Sequence, residues 1–177
     1  MDPPIVPTDR LDGWRHVERA TERPFAAGPV SVTAGTVRYE RTDRDEPRPF
    51  FFASRLRIRP GGTPNPALTR LVENRARAGF RDRLADHDIE GVESRGERSI
   101  RVDDPNASTA TLVTYRARCD LPAGRVPVEA LLAVWESGEY FLAGGAYRLD
   151  GGGGDDDVDA DDARRELVGL VRGVRPD

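Results

Sequence analysis

The stretch from Val128 to Tyr147 restricts the fold more than any other. It reads as two β-strands joined at Ser137-Gly138, and a loop of two residues favours positive φ and so suits glycine. In the first strand Val128, Ala130, Leu132 and Val134 point one way, while Leu131, Ala133 and Trp135 point the other. In the second, Phe141, Ala143 and Tyr147 oppose Tyr140, Leu142 and Ala146. Successive side chains of a strand alternate sides, so a hairpin apolar on both faces needs cover on both. The rest of the chain has to supply two covering layers.

Two helices are expected to provide them. Asn65 suits an N-cap and Pro66 the first helical position. Beyond them Leu68, Leu71, Val72, Ala76, Phe80 and Leu84 recur at three- and four-residue spacing. A helix from Pro66 to Ala85 would be about 30 Å long, enough to cross several strands. Near the C-terminus Ala163, Leu167, Leu170, Val171 and Val174 form a second, shorter apolar stripe with an Asp-rich start, which complements the positive end of a helix dipole.

Strands are expected at Val30–Arg41, Phe50–Arg59, Val92–Val102 and Thr109–Cys119, with Gly35 marking a bulge where the apolar phase of the first one changes. The charge alternation of Glu93, Arg95, Glu97 and Arg101 suits a sheet edge. Periodicity leaves Trp14 to Arg19 open between a short strand and a helical turn, and Phe25 to Pro29 reads as a connection. The expectation is an α+β domain: an antiparallel sheet of about six strands, in the order β-β-α-β-β-β-β-α, with one helix on each face. Residues 1–13 read as an irregular arm, 14–174 as a single domain, and 150–160 as a flexible, acidic Gly/Asp loop.

Length and charge narrow the function. A chain of 177 residues can bury a core without disulfides or metal. No apolar run approaches the roughly 20 residues of a membrane span. The start, Met-Asp-Pro-Pro-Ile-Val-Pro, has neither the basic nor the apolar segment of a signal peptide, so a cytoplasmic location is expected. A net charge of −4 and the lack of a basic face argue against nucleic acid. All 27 basic residues are arginine, and with abundant aspartate that pattern suits a salt-loving archaeon. The lone Cys119 lies in phase with apolar strand positions and reads as a small core residue.

The order of elements, Trp135-Glu136 at a hairpin tip and the strand Ala143-Gly144-Gly145-Ala146-Tyr147 resemble a haloarchaeal family of uncharacterised proteins, itself similar to the PsbP-like α/β/α sandwich. The resemblance covers about residues 14–174. It implies a binding role without naming a ligand. Members of that family often carry a lipoprotein signal, which this N-terminus does not show.

Few side chains suggest chemistry. Asp155, Asp157, Asp159, Asp161 and Glu166 fall at positions 1, 3, 5, 7 and 12 of a calcium-loop pattern. Ala160 occupies the place where that loop turns on glycine, and a solvated acidic linker running into a helix cap explains the same residues. Asp86, His87 and Asp88 could pair a carboxylate with an imidazole, although no nucleophile motif accompanies them. A histidine just past the long helix also suits a C-terminal cap. Arg55, Arg57 and Arg59 share one strand face, and Arg38 could join them across a hairpin to meet an anion or an acidic partner. No cofactor motif is present. The leading expectation is a non-catalytic binding or accessory domain acting through a protein partner; a small hydrolase using Asp86, His87 or Asp88 is the alternative.

Overall fold

The computed structural model describes residues 1–61, 63–107, 109–150 and 159–177. Seven strands form one antiparallel sheet: β1 (Arg15–Ala27), β2 (Val30–Glu40), β3 (Phe50–Arg59), β4 (Ile89–Ile100), β5 (Ala110–Leu121), β6 (Gly124–Glu136) and β7 (Tyr140–Arg148). Their order across the sheet is β1-β2-β3-β7-β6-β5-β4. Helix α1 (Pro66–Asp86) links β3 to β4, and α2 (Ala160–Gly173) follows β7.

The two-faced hairpin is β6–β7, in register from Val128↔Arg148 to Glu136↔Tyr140, and β5 and β3 flank it. Val128, Ala130, Leu132 and Val134 join a core with Val72, Ala76, Phe80 and Leu84 of α1. Leu131, Ala133 and Trp135 join a second core with Leu167, Leu170 and Val171 of α2. Each layer of apolar side chains thus has its own helix. Removing a leucine-sized side chain from water on each side contributes about 2 kcal/mol per residue, which is why the most apolar strands occupy the middle.

Local chemistry sets the helix ends. Asn65 accepts a bond from Leu68 N–H at 3.0 Å and caps α1, as expected. Thr69 and Tyr140 hydroxyls meet at 2.7 Å and tie the first turn of α1 to β7. At the far end His87 N–H donates to Leu84 O and Asp88 N–H to Ala85 O. Asp88 takes a left-handed φ of 59°, a conformation that aspartate tolerates better than most residues. Asp159 caps α2 by accepting from Asp161 N–H at 3.2 Å.

Two expectations need correcting. The sheet has seven strands, because β1 starts in the segment left open between strand and helical turn and runs on to Ala27, leaving only Gly28 and Pro29 of the expected connection as the turn. As an edge strand, mostly exposed, β1 has no apolar alternation to announce it. Gly35 marks no bulge, since β2 pairs with β3 in unbroken register. A Cβ there would instead lie 2.8 Å from Met1 O, so the glycine admits a close backbone approach by the N-terminal arm. The register shifts fall on the two edge strands, each of which carries two extra residues against its partner. Bulges of this kind make an edge a poor template for another sheet.

The arm itself is anchored. Ile5 and Arg175 exchange backbone hydrogen bonds of 3.0 and 3.1 Å, Val6 is buried, and Arg10 donates to Gly169 O at 2.7 Å.

Candidate functional site

A departure from close packing lies between α1 and the β1–β3 wing. On the α1 face of β2 and β3 three neighbouring residues are small, Ala34, Thr36 and Ser54, and the facing turns of α1 present Ala76 and Gly79. Small against small leaves a gap that twisted secondary elements do not close by themselves. The result is a cavity of about 270 Å³, walled by Phe52, Leu56, Val72, Phe80 and Leu142. At roughly 30 Å³ per water-sized unit, it holds about nine such units.

The Thr36 and Ser54 hydroxyls border this apolar space together with the charged Glu22, Arg75, Asp82 and Arg83. Thr36 and Ser54 are buried, stand opposite each other across β2 and β3, and share one hydroxyl–hydroxyl bond of 2.8 Å. One bond uses one of the two hydroxyl hydrogens and leaves the other to donate. Arg83 lies over the Phe52 ring at 4.6 Å, with its side chain only 20% exposed. Its nearest carboxylate, Glu22, is 3.9 Å away, and its guanidinium makes no hydrogen bond among the described residues. Burial pulls the Arg83 guanidinium below its ordinary range, with Glu22 opposing the shift. A sheltered cation with unused donors favours an anionic acceptor.

Arg55, Arg57 and Arg59 do share the α2 face of β3. Arg55 is bonded to Glu139, and Arg57 Nε lies 3.4 Å from the same carboxylate, so the row is partly neutralised from the β6–β7 turn. Arg38 does not join it. Arg38 pairs with Phe52 in the β2–β3 register, which puts it on the α1 face, where it donates to Glu18 at 2.8 Å. A residue directly opposite another shares its face, and Phe52 and Arg55, three residues apart, do not.

Asp86 ends α1, His87 caps it and Asp88 makes the turn. The His87 ring stacks flat on Phe50, with centroids 4.0 Å apart. Burial, with the nearby Arg38, holds its pKa below the usual value. The ring is therefore kept neutral, and its capping is done by the backbone rather than by charge. Neither Asp86 nor Asp88 is hydrogen-bonded to it among the described residues.

Of the calcium-loop pattern, Asp155 and Asp157 lie outside the described residues. Glu166 points back to the sheet, accepting from Trp14 Nε1 at 2.9 Å and from Arg41. Asp159 and Asp161 sit at the helix start. Among the described residues no three acidic, histidine or cysteine groups gather as a metal site would require. Cys119 is buried in the α1-side core, and burial pushes its thiol pKa up, the opposite of an activated nucleophile.

Sequence reasoning missed Thr36, Ser54 and Arg83, and also Glu129. The available signal was slight. Thr36 and Ser54 stand at inward strand positions where larger apolar residues are the rule, and Glu129 interrupts the apolar run of β6.

Among the described residues no helix is long and apolar enough to cross a membrane. Residues 3–175 match the family described as a domain of unknown function (DUF6517), and the chain belongs to that family. No curated protein and no solved structure matches it.

Proposed function

We propose that this DUF6517 domain is a non-catalytic binding domain whose ligand is a small amphipathic carboxylate, held in the cavity between α1 and the β1–β3 wing. The observation that carries the reading is the convergence of an unbonded, sheltered Arg83 and the Thr36–Ser54 hydroxyl pair on one apolar space. Ligand sites are typically apolar cavities with a few polar groups that fix orientation. The volume, about 270 Å³, lies just below the usual range of about 300–1,000 Å³, which fits a chain of about eight carbons better than a cofactor. Exposed Gly79, at the cavity wall, leaves room for entry.

A protein partner, the other form of the binding role, would have to be met through polar surface. Ile5 and Val17 are the large apolar side chains exposed among the described residues, and apolar docking patches are usually more extensive. The reading keeps the chain in the cytoplasm of a haloarchaeon, a setting supported by 27 arginines without lysine and by 31 acidic residues. Likeness to the PsbP-like sandwich is supported by an antiparallel sheet between two helical layers.

Calorimetric titration with octanoate tests the proposal. Saturable binding is expected, weakened about tenfold by Arg83→Gln, the worth of one charge-assisted bond, and weakened less for octanol in place of octanoate. No binding, or equal binding by the Arg83→Gln protein, would overturn it.

A further inference from the structure

Glu129 is 1% exposed on the α2 face of β6. A buried carboxylate is tolerated only when fully paired, and this one is. Its Oε1 accepts from the Tyr147 hydroxyl and from Arg164 Nη1 at 2.8 Å, and its Oε2 is ion-paired with Arg116, whose Nε lies 2.9 Å away. Burial, then the bond to Glu129, drives the Tyr147 pKa far upward, so the phenol remains a donor.

The arginines are less fully used than the glutamate. A guanidinium carries five N–H groups; Arg164 gives Glu129 one hydrogen bond and Arg116 an ion pair. Arg98, opposite Leu112 across β4–β5, has no ion pair or hydrogen bond among the described residues. These three arginines and Thr114 line an open recess of about 570 Å³. The recess exists because α2 packs on β7 and β3 and leaves Gly96 and Arg98 of β4 and Thr114 and Arg116 of β5 uncovered on that face, beyond the buried Ile100, Ala110 and Leu112. Gly96, opposite Thr114, adds no side chain, and a Cβ there would meet nothing within 4 Å. The other lining charges are already engaged, Arg95 with Glu93 at 3.0 Å and Glu97 with Arg77 of α1 at 2.9 Å. Three arginines against one glutamate leave an excess that a doubly charged anion would balance.

We infer that this recess binds a small dianion, a phosphate ester or a dicarboxylate, through Arg98, Arg116 and Arg164, with Glu129 as the positioning residue that aims two of them. Bidentate arginine pairs suit both oxyanions.

The test is calorimetry on the full chain at fixed ionic strength, with inorganic phosphate and with succinate as probes. One saturable site is expected for at least one probe; stronger phosphate binding assigns a phosphate ester, stronger succinate binding a dicarboxylate. Arg98→Gln should weaken binding about tenfold, while Arg125→Gln, at the start of β6 and outside the recess, leaves it unchanged. Glu129→Gln makes the recess more positive, yet it should weaken binding, because the arginines lose their anchor. Saturation by neither probe at millimolar concentration, or equal effects of Arg98→Gln and Arg125→Gln, would overturn the site. Tighter binding by the Glu129→Gln protein would overturn the positioning role.

Discussion

The two sides of the sheet are built to different tolerances. Apart from the open recess over β4 and β5, the space left against α2 beside Trp14, Ala146 and Leu167 is about 20 Å³; against α1, the cavity beside Phe52 and Phe80 is about 270 Å³. The difference begins with where the small residues sit. On the α2 side Gly145 is small so that something else can come close, since a Cβ there would collide with Phe50 O and sit 3.0 Å from Leu167 Cδ1. On the α1 side Gly79 is small with nothing near it. One glycine serves close packing and the other borders a void. A side of the core that is kept loose, with polar groups aimed into the gap, is where a ligand can be held without displacing the fold.

That contrast can be broken most forcefully by one substitution made twice. Gly145→Ala should cost on the order of 3 kcal/mol, read as a lower midpoint in chemical denaturation, because backbone rather than a flexible side chain must move. A loss below about 1 kcal/mol would show that the α2 side is as loose as the other. Asn65→Ala removes the bond to Leu68 N–H and should cost about 1 kcal/mol; denaturation should also show no change in slope, because the exposed area is unaltered. Gly79→Ala should have the opposite sign to its counterpart, gaining a little under 1 kcal/mol of helix propensity, while Gly79→Leu narrows the cavity and reduces octanoate binding.

The smallest effect concerns pH. The His87 pKa is lowered in the folded protein, by burial first, so the unfolded chain takes up a proton more readily. Stability is then present in full above the ordinary histidine value of about 6.5 and declines as pH falls from there through the folded pKa. His87→Phe keeps the stack on Phe50 and should flatten the stability profile in that window. A profile unchanged by His87→Phe would mean that the ring is not the group responsible.

The core was legible in the chain because alternation and helical spacing are local. Leu131 and Leu132 can be assigned to opposite layers by parity alone, and both layers stand as expected. The edge was less legible. Strand β1 is held by backbone pairing to β2 rather than by a buried face, so it has little side-chain signature. The candidate cavity was hidden for a different reason. Thr36, Ser54 and Arg83 come from three elements, 47 residues apart at the extremes, and only tertiary packing brings them together. Arg38 shows the opposite failure. Hairpin neighbours looked compatible with one arginine row, but parity within β2–β3 places it on the other face.

Solution NMR of the uniformly labelled chain titrated with octanoate tests the central claim most directly. The account predicts saturable shift changes concentrated at Thr36, Ser54, Gly79 and Arg83, with the α2 side near Gly145 left unmoved. Changes centred on the α2 side, or no saturable change at all, would contradict it.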